Sequence, residues 1–187
     1  FGLAIDGARG FVGRDAVYAI DARTGERRWT FTDPAVSAFG DPVVDRETVY
    51  ATATRPVGGV PAGSLFALDA GDGAERWRLE TGLSPSSPAI TPDGIYLTAD
   101  RVWALDRDGS VRWRAGDNRF VTASPSVANG TVYLAGIDGR IEARDATTGA
   151  RRWGHDSPGS LLHAPALSGD RLYVASSDGY LVAFGPP

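Results

Sequence analysis

The 187 residues contain no cysteine, which excludes a disulfide framework, a thiolate metal site and a cysteine nucleophile. The net charge of −4 is too mild to point to a nucleic-acid or membrane partner, and the chain carries no apolar run of about 18 residues that would form a transmembrane helix. Twenty-four glycines beside an ordinary 42% hydrophobic content predict short strands joined by tight turns, in one domain over residues 1–187. Every basic residue is arginine, the mark of a high-GC genome. There is no methionine, so the natural start and any leader are expected to lie outside this sequence.

Taken in chain order, the elements repeat. Residues 1–6 read as a strand of the B type defined below, followed by a loop over 7–15. A strand VYAID then runs over Val17–Asp21, and its copies are LFALD (65–69), VWALD (102–106), IEARD (141–145) and LVAFG (181–185). Their last residues are spaced by 48, 37, 39 and 40. After each of the first four comes a glycine turn, at Thr24-Gly25, Asp72-Gly73, Asp108-Gly109 and Thr148-Gly149. A tryptophan follows, at Trp29, Trp77, Trp113 and Trp153. Between copies recurs a second strand, with Val49-Tyr50, Ile95-Tyr96, Val132-Tyr133 and Leu172-Tyr173. A proline precedes each, at Pro42, Pro88, Pro125 and Pro165.

Each unit therefore reads as four strands. Strand A begins at the proline, B carries the tyrosine, C carries the Ala-x-Asp and D carries the tryptophan. Asp93-Gly94 and Asn129-Gly130 suit two-residue hairpins between A and B. Four antiparallel strands per roughly 40 residues is the pattern of a propeller blade, so the fold class is an all-β propeller of four-stranded blades. The strand tally is 3, 4, 4, 4 and 3, about four to five blades. The first and last strands are then expected at open edges, with blades missing on the N-terminal side; a five-bladed ring with a gap is the alternative.

The run Ala19-x-Asp21-x-x-Thr24-Gly25-x-x-x-Trp29, and again Ala143 to Trp153, resembles the tryptophan-docking repeat of the PQQ-like (quinoprotein-type) propeller family. The resemblance covers almost the whole chain and implies a ring of seven or eight blades, with the four tryptophans locking neighbouring blades. Within that family the chain is similar to the propeller lipoprotein of the outer-membrane barrel-assembly machine, which implies an extracytoplasmic location and a protein partner or the remaining propeller blades as partner. It also resembles propellers that follow serine/threonine kinase domains, and in its repeat the PQQ-dependent dehydrogenases. The dehydrogenases carry adjacent cysteines over the cofactor, and their calcium-ligand set has no counterpart here, so neither PQQ nor calcium is expected as a ligand.

Several residues stand out from the repeat. Eight arginines flank the tryptophans, and charge on an outermost strand discourages edge-to-edge pairing. The Asp-Gly pairs lack the further ligands and late glutamate of a calcium loop and read as turns. Asn129-Gly130-Thr131 is a sequon lying in a hairpin turn. Glu142 and Arg144 stand where the other copies are apolar, which reads as an ion pair or as an opening where something docks. Non-repeated polar and aromatic residues gather in the D-to-A connections, namely Asp33, Phe39, Asn118, Arg119, Phe120, His155 and His163. A metal or acid–base role for the two histidines lacks a companion carboxylate motif. Mixed aromatic and polar loops suit recognition better than catalysis, so partner contacts are expected at Asn118, Arg119, Phe120, His155 and His163, with Arg119 and Phe120 foremost.

Overall fold

In the computed structural model the described residues are 2–58, 60–82, 86–116, 123–161 and 163–185. They form twenty β-strands and no helix. The chain divides into two compact units, Phe1–Ile90 and Thr91–Pro187.

The first unit holds two antiparallel sheets. One is the meander β1 (Leu3–Asp6), β2 (Arg9–Gly13), β3 (Val17–Asp21) and β4 (Arg27–Phe31). The other contains β5 (Ala38–Phe39), β6 (Val43–Asp45), β7 (Thr48–Val57), β8 (Val60–Asp69) and β9 (Glu75–Glu80). The second unit, entered by β10 (Ala89–Thr91), has three more. These are β10 with β11 (Gly94–Thr98), β12 (Val102–Leu105) and β13 (Val111–Ala115); then β14 (Ser126–Ala128), β15 (Thr131–Ala135), β16 (Arg140–Asp145) and β17 (Arg151–Asp156); and last β18 (Ala166–Ser168), β19 (Arg171–Ala175) and β20 (Leu181–Phe184). The A, B, C and D strands of the sequence reading are these blade strands, and the four prolines stand one residue ahead of β6, β10, β14 and β18.

Two parts of the sequence reading need correction. The first sheet is complete: residues 3–6 are its strand A, and strand B is Arg9–Gly13, inside the stretch read as a loop. Phe11 stands where the other blades have tyrosine. It pairs with Ala19 as Tyr50 pairs with Ala67, Tyr96 with Ala104, Tyr133 with Ala143 and Tyr173 with Ala183. In the second sheet, β7 and β8 are ten residues each and pair in register from Thr48↔Asp69 to Val57↔Val60, with β5 and β6 both along β7. Asn129 and Gly130 have φ of 50° and 67°, the double positive turn of a two-residue hairpin, whereas Gly94 already lies in β11.

One register organises each blade. The alanine of strand C lies between the aromatic of B and the tryptophan of D, with pairs Ala19↔Trp29, Ala67↔Trp77, Ala104↔Trp113 and Ala143↔Trp153. With only a methyl between them, the two rings meet across the sheet. Centroid separations are 5.9 Å for Phe11–Trp29, 5.9 Å for Tyr50–Trp77, 6.2 Å for Tyr96–Trp113 and 6.4 Å for Tyr133–Trp153. Such a pair adds roughly 0.5–1.5 kcal/mol beyond the area it buries. Immediately after each of these alanines the C–D register slips by a bulge, which sharpens the local twist and sets up the turn.

Candidate functional site

The turns that carry most of the aspartates are self-contained. Asp21 Oδ1 accepts from the backbone N–H of Arg23 (2.9 Å) and Thr24 (3.2 Å), and its Oδ2 from Arg28 (2.5 Å). Asp69 does the same with Gly71, Asp72 and Arg76, and Asp145 with Thr147, Thr148 and Arg152. The arginine before the tryptophan is thus the partner of the aspartate that closes strand C. In the third blade, whose turn is one residue shorter, Arg112 still reaches Asp106 at 2.5 Å, while Asp108 caps Ser110. The arginine hydrogen bond, followed by the backbone donors, holds the Asp21 and Asp145 carboxyls at about 2. These carboxylates are engaged within their own turns. Among the described residues, no three or more His, Asp or Glu side chains gather in metal-binding range.

Two of the tryptophans, Trp29 and Trp113, dock on the glycine turn of the next blade. The Trp29 indole N–H donates to the Ala70 carbonyl at 3.2 Å, and Trp113 to the Ala146 carbonyl at 2.9 Å. The ring lies on a glycine: a Cβ built on Gly73 would stand 2.7 Å from Trp29 Cε3, and one on Gly149 would stand 2.7 Å from the Trp113 ring. Trp77 is half-buried against Tyr50. Trp153 differs. The residue is 36% exposed, and its ring packs on Tyr133 and Phe184.

Trp153 borders an open groove of about 540 Å³ in the second unit, lined by Tyr133, His155, Leu167, Leu172 and Phe184. His155 lies at the end of β17, not in the connection that follows. It is exposed, and its ring meets Phe184 edge-on at 5.1 Å. Phe184 in turn packs on Trp153 at 5.5 Å. His163 is exposed in the connection to β18 and does not line this groove. Asn118, Arg119 and Phe120 lie outside the described residues.

Two other non-repeated residues of the connections serve the fold. Phe39 is buried, in a cluster with Phe31 and Phe66 at 5.9 and 5.6 Å. Asp33 caps the Ala35 N–H and binds Arg78 at 2.9 Å. Glu142 and Arg144 pair with each other at 2.7 Å, and Arg144 also donates to the Gly149 carbonyl while Arg151 approaches Glu142 at 3.4 Å. That charged slot is closed on itself. The sequence reading did not find the groove, although Leu181 to Gly185, the one copy lacking the aspartate, marks its place.

A family model described as outer membrane protein assembly factor BamB matches residues 1–186. The chain belongs to this family. The assembly factor BamB of Alkalilimnicola ehrlichii is 32% identical over 156 residues, 79% of this chain and 38% of that protein. The serine/threonine-protein kinase AfsK of Streptomyces griseus is 34% identical over 151 residues, 71% of this chain and 18% of the kinase. A quinohemoprotein alcohol dehydrogenase of Pseudomonas putida matches 45% of the chain at 33% identity, covering 14% of that enzyme. The crystal structure of BamB from Moraxella catarrhalis superimposes with a TM-score of 0.77 at 23% identity, covering 98% of this chain and 60% of that one. The fold is accordingly a β-propeller built of PQQ-like repeats. The chain spans well under half the length of these curated relatives.

Proposed function

We propose that the chain is a non-catalytic propeller scaffold that binds a protein partner outside the cytoplasm. The observation that carries this reading is the match of residues 1–186 to a family described as outer membrane protein assembly factors. The geometry is compatible with it: the repeated aspartates and arginines are consumed in turns, while the aromatic surface left over lines a groove suited to recognition. The proposed contacts are Asn118, Arg119, Phe120, His155 and His163, and neither PQQ nor calcium is proposed as a ligand.

The test is titration of the purified chain with the purified outer-membrane barrel-assembly complex. Saturable binding is expected, weakened roughly thirty-fold or more by the double variant Arg119→Ala, Phe120→Ala, as loss of a hot spot would do. Absence of binding, together with saturable PQQ uptake and substrate-dependent turnover in a dye-linked dehydrogenase assay, would replace this reading with an enzyme. A second reading, the sensor domain of a signalling protein, rests on the 34% identity to the kinase AfsK. It is favoured if the chain ignores the assembly complex but binds a small ligand.

A further inference from the structure

The joint of the first sheet with the second and the joint of β10–β13 with β14–β17 close with one latch. In each, the docking face is a rung of three residues, Phe11–Ala19–Trp29 in one and Tyr96–Ala104–Trp113 in the other. In each, the indole lies on a turn glycine, Gly73 or Gly149, and donates to an alanine carbonyl, Ala70 or Ala146. The receiving strand B is apolar in both, with Val49 and Ala51 buried in one joint and Val132 and Leu134 in the other. Nothing in the latch tells one blade from another.

The joints differ beyond the latch. In the first, Phe31 brings its ring to 5.5 Å from Phe66, and Phe39 stands 5.6 Å from the same ring. Phe66 and Leu68 are fully buried. In the other joint Ala115, paired with Val102, takes the place of Phe31, paired with Val17. Glu142 and Arg144, paired with Leu134 and Val132, take the places of Phe66 and Leu68, paired with Ala51 and Val49. The two charged side chains are only 17% and 13% accessible. Strand D is altered to match. Gly154 stands where Arg78 stacks over Phe66 at 4.9 Å, and a Cβ on Gly154 would run into the Arg151 guanidinium that reaches Glu142. An ion pair so far from water seldom adds stability over apolar residues of similar volume. What it adds is discrimination. Phe31 brought onto Glu142 and Arg144 would strip water from both charges and offer them no hydrogen bond. Ala115 brought onto Phe66 would leave the space of a phenyl ring empty. We infer that Glu142 and Arg144, together with Ala115, are pairing determinants: they admit the β10–β13 sheet onto β14–β17 and reject the first sheet, so that blades sharing one latch assemble in chain order and do not exchange between chains. Such exchange is the characteristic failure of repeat folds, and a mismatch built against the wrong neighbour prevents it.

The test separates stability from fidelity. Glu142→Phe with Arg144→Leu gives β14–β17 the receiving face of the second sheet. Glu142→Leu with Arg144→Leu removes the charges without adding a ring. Equal amounts of unlabelled and heavy-nitrogen-labelled chain are mixed, unfolded in urea and refolded over a range of concentrations, and native mass spectrometry reads the fraction of chains in mixed oligomers. Both double variants are expected to melt within a few degrees of wild type, while their mixed oligomers rise several-fold and grow with concentration. Glu142→Asp, which keeps a carboxylate beside Arg144, stays at the wild-type level. Three results overturn the inference: mixed oligomers no more abundant in the double variants than in wild type; an equal rise in Glu142→Asp; or a rise that only tracks a falling melting temperature across the variants, which would make the pair a stability element alone. If the variant carrying Glu142→Phe does not fold, the pair of leucine substitutions decides.

Discussion

Gly25 and Gly73 provide a matched pair for measuring what interblade docking contributes. Both occupy the same turn position, with φ of 75° and 78°. A Cβ on Gly25 would meet nothing within 4 Å, whereas one on Gly73 would stand 2.7 Å from Trp29 Cε3 and 2.8 Å from Cδ2. An alanine at either site costs about 1–2 kcal/mol for the left-handed backbone. Its effect on the unfolded chain is the same at both positions, so it cancels in the comparison. Only Gly73→Ala must also displace an indole that is 9% accessible and hydrogen-bonded to Ala70, an overpacking cost of about 1–3 kcal/mol. The expected losses are therefore about 1–2 kcal/mol for Gly25→Ala and about 2–5 kcal/mol for Gly73→Ala. Urea unfolding followed by circular dichroism measures both. Equal losses, within about 0.5 kcal/mol, would show that the indole does not rest on the glycine and would refute the docking geometry.

The tryptophans should separate by exposure: Trp29→Ala is expected to cost about 3–5 kcal/mol, as for other buried aromatics, and Trp153→Ala markedly less, read from the same denaturation curves. The acid limb of stability should follow the turn aspartates. Asp21 and Asp145 titrate at about 2 in the fold and near 3.9 when unfolded, so their contribution is complete above about pH 4 and is lost as pH falls toward 2. The double variant Asp21→Asn, Asp145→Asn should flatten a pH-dependent melting profile in that window, and an unchanged profile would sink the assignment. For the charged slot on β16, Arg144→Leu alone should destabilise, because it strips Glu142 of a close partner, while Glu142→Leu with Arg144→Leu should return near wild-type stability, as a double-mutant cycle by thermal melting would show.

The repeat was legible because its causes are local and recur: the proline before strand A, the Ala between two aromatics, and the glycine at positive φ. The first strand B was not, because Gly10-Phe11 stands where the other copies show a β-branched or leucine residue and a tyrosine. The backbone register with Ala19 reveals that the phenyl ring alone satisfies the rung. The ten-residue hairpin announced itself only as a 48-residue interval among intervals of 37 to 40, and interval length cannot say which strands grow. Phe39 and Asp33 stand out from the repeat for a similar reason. A non-repeated residue need not be functional when a non-repeated strand such as β5 must also be packed.

The same reasoning gives a way to tell binding residues from building residues in a repeat fold. A side chain whose equivalents in other blades all have partners is structural wherever its own partner is present, however conspicuous its chemistry. By that test the tryptophans at 29 and 113, the aspartates of the turns and the arginines facing them are explained, and none is available to a ligand. His155 has no repeated equivalent in chemistry, because the position following the glycine after Trp153 holds leucine after Trp77 and Arg78. It stands at the rim of the groove against Phe184. A substitution scan for partner binding should therefore register at His155 and leave Trp29 and Trp113 affecting stability alone.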